Sequence, residues 1–363
     1  MKPHLAIVLG TRPEIIKMSP VIRRAKELRV PFTLIHTGQH YSASMDSIFF
    51  TKLKLPKPNI RLNIGRAAKP GHGAQTALML ESLETVFKRL RPDVLLVQGD
   101  TNTVLAGAIA ASKIPGIRIG HVEAGLRSYD RTMPEESNRI ITDHLSDYLF
   151  APTTQAAAIL RSEGIEHAKI HVTGNTIVDA VRQNLKLVRS GTSSLMRRSL
   201  KAYALMTLHR QENVDDPRRL KNALDGIGRV SKELSLPVLF PMHPRTVKQI
   251  RKFGIHLPNG IQMIEPTDFL QFLDLESDAH LILTDSGGVQ EEACILRVPC
   301  VTLRDTTERP ETVRAGGNVL AGTDPRRILS AAKRIVRIKR NWKNPFGDGR
   351  AAERIINLSL RGN

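Results

Sequence analysis

Ile117-Arg-Ile-Gly-His121-Val-Glu123-Ala-Gly-Leu-Arg127 is followed shortly by Pro134-Glu-Glu-Ser-Asn-Arg139. Ile117 to His121 reads as a buried strand, and beyond it the carboxylates Glu123 and Glu135 gather beside the cations Arg127 and Arg139. Charges are costly to bury unless they are paired, so a cluster at a strand exit rarely serves packing. In open α/β sheets ligands bind at the carboxyl ends of strands. The stretch therefore predicts an α/β fold of parallel strands and also the place to look for chemistry.

The same rhythm extends both ways. Strand-length apolar runs fall at His4 to Leu9, Phe32 to His36, Asp93 to Gln98 and Tyr148 to Phe150, with helical patterns between them at Pro13 to Leu28, Met45 to Leu53, His72 to Leu90, Thr103 to Ser112 and Glu135 to Leu145. The second half repeats it. Strands are expected at Ala202 to Leu208, Val238 to Met242, Ile261 to Ile264, His280 to Thr284 and Cys300 to Leu303. Helices are expected at Pro217 to Glu233, Val247 to Phe253, Phe269 to Leu275, Val289 to Leu296 and Pro325 to Ile338. Alternation of this kind builds βαβ units and parallel sheets. The expected architecture is two doubly wound α/β domains facing each other across a cleft, residues 1–172 and 173–347, with a polar run near Arg189 to Ser194 close to the seam. A last helix, Asp348 to Leu360, is expected to pack back on the first domain.

The bulk numbers fit this division. A chain of 363 residues exceeds what one core usually supports. Two cysteines, Cys294 and Cys300, have neither metal-ligand spacing nor a disulfide pattern, and read as small buried apolar groups in a reducing, cytoplasmic setting. The start of the chain has no apolar run of signal length, and no run reaches the length of a membrane span. The net charge of +19 suits an anionic partner or a generally basic surface. Aromatic residues make up only 4% and do not interleave with the basic ones, which disfavours a nucleic-acid stacking platform.

Six further motifs sit at predicted strand exits. Gly10-Thr-Arg-Pro-Glu14 brings Arg12 and Lys17 to a helix N-terminus, which attracts anions, or else it is an ordinary βα turn. Gln98-Gly-Asp-Thr101 adds Asp100 to Glu123 and Glu135, giving three carboxylates for acid–base work, with a helix cap as the alternative role of Asp100. In the second half, Thr207-Leu-His-Arg-Gln-Glu-Asn213 and Met242-His-Pro-Arg-Thr246 place His209 and His243 on one rim, without zinc-site spacing. Asp285-Ser-Gly-Gly-Val-Gln-Glu-Glu292 leaves a strand and opens a helix. Ser286, Gly287 and Gly288 let backbone amides approach phosphate, and Glu291 or Glu292 can take a ribose diol. The run fits neither the dinucleotide fingerprint nor the Walker pattern, so a nucleoside diphosphate is the expected ligand. Arg304 to Glu311 alternates charges that either close over a sugar or pair with each other.

These motifs, in order over nearly the whole chain, resemble the non-hydrolysing UDP-N-acetylglucosamine 2-epimerases. The matching pieces are Gly-Thr-Arg-Pro-Glu at 10–14, Thr-Gly-Gln-His at 37–40, Gly-Asp-Thr at 99–101, the His121 to Arg139 block, His-Arg at 209–210 and Asp-Ser-Gly-Gly-Val-Gln-Glu-Glu at 285–292. The resemblance implies a GT-B-like pair of Rossmann-type domains, a homodimer, and a UDP-sugar bound mostly by the second domain without metal or redox cofactor. It implies C2 inversion by loss and return of UDP through a glycal. By motif, Asp100, Glu123 and Glu135 become the acid–base residues with His209 beside them. Arg139 holds substrate, and Arg12, Lys17, His209 and helix amides meet the diphosphate. Ser286 and Gly287 hold phosphate, Glu292 takes the ribose and Phe272 packs on uracil.

The chain departs from several bacterial relatives at Gln211, where they carry a second arginine, and over Tyr41 to Asp46. Activation by a second substrate molecule is therefore not carried over. His40 to Asp46 and the Thr-Glu-Arg-Pro-Glu run at 307–311 are similar to relatives acting on UDP-2,3-diacetamido uronic acids. The competing expectations are such a uronate epimerase, a hydrolysing 2-epimerase, a GT-B glycosyltransferase and, from a different class, a nucleic-acid-binding protein.

Overall fold

The computed structural model describes residues 2–39, 43–67, 71–189 and 202–361. His40, Tyr41 and most of the polar run near the expected seam lie outside the described residues. The chain divides into two compact units, Met1–Gln183 with Phe346–Asn363, and Asn184–Pro345.

The first unit alternates strand and helix: β1 (Leu5–Leu9), α1 (Arg12–Glu27), β2 (Phe32–His36), α2 (Ala43–Lys52), β3 (Ile60–Arg61), α3 (Ile64–Ala67), α4 (His72–Leu90), β4 (Val94–Gln98), α5 (Asn102–Ser112), β5 (Arg118–Val122), α6 (Pro134–Leu145), β6 (Tyr148–Ala151), α7 (Thr154–Ser162), β7 (Ile170–Val172) and α8 (Thr176–Arg189), within which the unit boundary falls. Its seven strands lie in the order β3-β2-β1-β4-β5-β6-β7, every pairing parallel. All residues of β1 and β4 are buried. A parallel strand covered on both faces reads as a continuous apolar run, which is why these two were the plainest in the sequence.

The second unit repeats the plan: β8 (Ala204–Thr207), α9 (Gln211–Val214), α10 (Pro217–Leu234), β9 (Val238–Pro241), α11 (Pro244–Lys252), β10 (Ile261–Ile264), α12 (Phe269–Asp278), β11 (Leu281–Thr284), α13 (Gly287–Leu296), β12 (Cys300–Thr302), α14 (Pro310–Arg314), β13 (Asn318–Leu320) and α15 (Pro325–Ile335). Its six parallel strands run β10-β9-β8-β11-β12-β13. Ala204 and Met206 of β8 face a core with α10 and α15, while Leu205 faces α12 and α13. This alternation shows a sheet covered on both sides. In each sheet the chain winds outward in both directions from a central pair, β1/β4 and β8/β11. Such switch points open a crevice at the strand ends, where ligands bind.

The sequence reading expected five strands per half. The additional strands β3, β7 and β13 have only two or three residues. Edge strands so short present no apolar run, and Val172 on β7 is 49% exposed. The helix expected from Val247 starts earlier, because His243 caps it by accepting from Arg245 N at 3.3 Å ahead of Pro244. The first unit extends through Gln183, beyond the expected boundary at 172. The last helix, α16 (Ala351–Leu360), explains this: the Asp179 carboxylate of α8 accepts from the Ala351 and Ala352 amides at 3.2 and 3.1 Å, binding α8 to it. Asn175 N donates to Phe346 O at 2.8 Å, and Arg24 of α1 reaches Glu353 at 3.8 Å. Cys294 and Cys300 are free and buried. No helix among the described residues is long and apolar enough to cross a membrane.

Candidate active site

The β1–α1 turn of the first unit is closed by its own chain. Gly10 packs so tightly that an added Cβ would lie 2.0 Å from Thr103 Oγ1 and 2.5 Å from Thr37 Oγ1. Glu14, only 2% exposed, turns back to accept from the Gly10 and Thr11 amides at 2.5 and 2.7 Å and from Thr101 Oγ1 at 2.5 Å. Burial outweighs these hydrogen bonds and pushes its carboxyl up to about 7. The anion site expected at this turn is thus filled by Glu14 itself. Arg12, half-buried, lies with its guanidinium 5.4 Å from the centre of the Phe49 ring.

Two strand exits converge beside this turn. Glu123 follows β5 with φ of 73°, a left-handed backbone that costs a residue with a Cβ. Its buried carboxylate lies 2.7 and 2.8 Å from Lys17 Nζ of α1 and accepts from Gln98 Nε2 at the end of β4. Lys17, expected beside a diphosphate, is therefore placed on the carboxylate.

Asp100, two residues past the end of β4, pairs with Arg139 at 2.5 Å, and Asn138 Nδ2 donates to the Asp100 carbonyl at 2.8 Å. Arg139 also meets Glu136 at 2.7 Å. Burial raises the Glu136 pKa, but the amide and hydroxyl of Ser128, the Tyr129 amide and Arg139 together hold it below the usual carboxylate range. Glu136 thereby fixes the loop between β5 and α6. Beneath them, His121 directs Nδ1 to Asp143 at 2.6 Å and Nε2 to the Gly99 carbonyl at 2.8 Å. Arg127, with a side chain 1% exposed, is held between Asp143 at 2.7 Å and Glu163 at 2.5 Å. It supports the loop rather than facing a ligand. Glu135, half-buried at the N-terminus of α6, makes no side-chain hydrogen bond among the described residues.

In the second unit a cavity of about 290 Å³ at the β8/β11 switch point brings together four expected residues, His209, His243, Phe272 and Ser286, with Thr207, Met242 and Pro266 in its wall. The imidazole centroids of His209 and His243 are 6.4 Å apart. His243 is held below the ordinary histidine range by burial, then by His209 and Arg245, so near neutral pH it carries one ring proton. Because Nδ1 accepts from Arg245 N, that proton sits on Nε2. His209 is oriented by Asp285, fully buried, whose carboxylate also accepts from the His209, Arg210 and Asn213 nitrogens. Burial pushes Asp285 up, but the His209 contact and these amides bring it below its ordinary value.

Ser286 stands at the N-cap position of α13 without a side-chain cap, followed by Gly287 and Gly288 in the first turn. A Cβ on Gly287 would meet nothing closer than Glu308 at 3.9 Å and Arg210 at 4.0 Å, and one on Gly288 nothing closer than Ser286 Oγ at 3.9 Å. The fold does not need glycine at either place. What glycine leaves open is the approach of a ligand to first-turn amides beside the Arg210 guanidinium, an anion-binding arrangement. The alternating charges of 304–311 pair off. Arg304 meets Glu308 at 2.7 Å and Glu212 at 3.4 Å, and Arg309 meets Glu291 at 2.7 Å. Burial raises Glu308, but Arg304 lowers it further, to about 2.

A family model described as UDP-N-acetylglucosamine 2-epimerase matches residues 22–359. The chain belongs to the UDP-N-acetylglucosamine 2-epimerase family, a family of isomerases. A protein named UDP-N-acetylglucosamine 2-epimerase from Methanococcus maripaludis is 53% identical over 363 residues, 98% of this chain and 97% of the relative. The crystal structure of Methanocaldococcus jannaschii UDP-GlcNAc 2-epimerase in complex with UDP-GlcNAc and UDP matches with a TM-score of 0.87 at 52% identity, covering 99% of this chain and 100% of that one. A Pseudomonas aeruginosa protein named UDP-2,3-diacetamido-2,3-dideoxy-D-glucuronate 2-epimerase is 41% identical, covering 96% of this chain and 97% of that protein. The two doubly wound sheets are the GT-B-like fold of the UDP-N-acetylglucosamine 2-epimerases.

Within this 2-epimerase framework, the first unit gathers Lys17, Glu123, Asp100 and Arg139, while Arg12 and Glu135 lie at the adjoining helix N-termini. The second unit gathers His209, His243, Phe272 and Ser286 in one wall, with Gly287, Gly288 and Glu292 on the helix that follows. Reading the sequence missed Glu14, Gln98 and Glu136. For Glu14 a signal existed, because Thr11-Arg-Pro-Glu14 is a capping box. Gln98 and Glu136 acquire their roles only through partners from other elements.

Proposed function

We propose that the protein interconverts UDP-N-acetylglucosamine and UDP-N-acetylmannosamine by elimination and re-addition of UDP through a 2-acetamidoglucal. A carboxylate takes the C2 proton while the C1–O bond to UDP breaks. The C1–C2 double bond forms, the proton returns to the opposite face of C2, and UDP adds back at C1. The C2 proton is not acidic, so departure of the diphosphate must be assisted by cations and aligned amides.

The observation that carries this reading is the open helix entrance at Gly287 and Gly288 beside Arg210, adjoining a cavity lined by His209, His243 and Phe272. It suits a nucleoside diphosphate, with phosphate at the amides, uracil against Phe272 and the ribose diol at Glu292. Asp100, Glu123 and Glu135, with His209, carry the proton transfers. Arg139 holds substrate, and Lys17 and Arg12 supply positive charge beside these carboxylates. The substrate follows the Methanococcus and Methanocaldococcus relatives, which are more similar to this chain than the diacetamido-glucuronate epimerase is. A homodimer working in the cytoplasm is proposed on the family resemblance, and light scattering of the purified protein tests the oligomer.

Proton NMR of UDP-N-acetylglucosamine incubated with the enzyme in heavy water tests the reaction. Deuterium at C2, accompanied by the manno epimer with UDP still attached, supports it. Free N-acetylmannosamine with UDP would identify a hydrolysing enzyme, and an unchanged sugar turned over only with an acceptor would identify a glycosyltransferase.

A further inference from the structure

Two carboxyl groups meet inside the second unit where α12 packs on α13. Leu275, Val289 and Ala293 form the apolar contact between these helices, and Glu276 and Glu292 lie beside it. Glu276 is 0% exposed, and among the described residues neither of its oxygens receives a hydrogen bond from an N–H or O–H donor. The group within hydrogen-bond reach is the Glu292 carboxyl, which is 8% exposed. Cys300 of β12 also faces Glu276, and its thiol and that of Cys294 are pushed well up by burial, so neither contributes a charge near neutral pH.

A carboxylate cannot donate to a carboxylate. Two ionised groups here would repel each other and leave Glu276 unsatisfied in a place water does not reach. One proton between them removes both costs, as in other carboxyl pairs that share a site. Burial favours the neutral form of Glu276, and the charge of Glu292 pushes in the same direction. Glu276 is the deeper of the two and keeps the proton. Glu292, nearer the surface, stays ionised.

We propose that Glu276 is a positioning residue: a neutral carboxyl that donates a hydrogen bond to Glu292 and fixes that carboxylate in the orientation that accepts the two hydroxyls of a ribose. The inference rests on the reading of Glu292 as the ribose acceptor.

Calorimetric titration with UDP and with 2′-deoxy-UDP tests it on the full-length wild type, E276Q, E276L and E292Q. Wild type prefers UDP. E276Q, whose amide donates permanently, keeps that preference within about twofold. E276L fills the space without a donor, and its preference falls by roughly fivefold or more, the scale of one lost hydrogen bond. A merely structural role would change the melting temperature and leave the ratio of the two affinities alone. If E292Q loses the preference while E276L retains it in full, the inference is overturned and the ribose reading stands. If E292Q retains the preference, the ribose reading falls and takes the inference with it. The infrared difference spectrum of wild type minus E276Q must also contain the carbonyl band of a neutral carboxylic acid near neutral pH. Its absence overturns the proposal even if E276L does not fold.

Discussion

Lys17 Nζ lies 2.7 and 2.8 Å from the two oxygens of Glu123, joining the second turn of a helix to a residue whose backbone φ is 73°. A strained backbone directs the carboxylate inward and the ammonium holds it there. Substituting Lys17 with Met removes the cation from a carboxylate that is 4% exposed. Breaking such a pair costs about 3 kcal/mol of stability, and misplacement of the carboxylate lowers turnover by roughly a hundredfold. Denaturant titration and the epimerisation assay measure the two effects separately.

Glu123→Gln and Asp100→Asn keep the volume of each group and remove its ability to take a proton. Turnover is expected to fall by roughly 10²- to 10⁴-fold in each, with UDP affinity changed less than about threefold because the nucleotide contacts are assigned to the second unit. Full turnover in both variants would exclude these carboxylates from the proton transfers.

Gly287→Ala separates fold from ligand. The new methyl would have no neighbour closer than 3.9 Å, so the melting temperature should stay at the wild-type value. UDP affinity should weaken roughly tenfold, because in the proposed reading the methyl would stand where phosphate approaches the amides. Calorimetry and thermal melting distinguish the two results.

Glu14 makes stability depend on pH in a definite direction. Its folded pKa of about 7 stands above its ordinary value of 4.5, so the folded state binds the extra proton between these limits. Its contribution is therefore complete below about 4.5 and is lost as pH rises to about 7, by about 3 kcal/mol at most. Glu14→Gln imitates the protonated carboxyl, accepting from the Gly10 and Thr11 amides and donating to Thr101. The variant should match wild type near pH 5 and exceed it near pH 8 in urea titrations. A wild-type stability that rises between those pH values relative to the variant would contradict this.

Much of this was legible in the sequence, and the unequal success has physical causes. β1 and β4 were plain because both faces of a parallel strand are buried, which leaves unbroken runs such as Leu5 to Leu9. β3, β7 and β13 were not, because two or three residues at a sheet edge carry no pattern. The strand-exit positions of the proposed site stand out in the sequence wherever a charged or glycine-rich run interrupts an apolar one, as at Glu123 and at Ser286. Pairing was hidden. Nothing local indicates that Lys17 rests on Glu123, that Arg139 bridges Asp100 and Glu136, or that Asp285 orients His209, because strand order and helix packing bring each partner. Arg127 was misleading for the same reason. In a linear reading it stands among ligand-facing charges, and in the fold it is sealed between Asp143 and Glu163.

The return of the chain to its first unit at Phe346 sets the order of events on the ribosome. All of Asn184–Pro345 emerges before the α16 amides that Asp179 holds have been made. The later-encoded unit has its full complement of residues first, reversing the usual N-terminal-first sequence of domain completion. A nascent chain arrested after Pro345 would hold the whole six-stranded sheet of the second unit attached to a first unit that still lacks its closing helix.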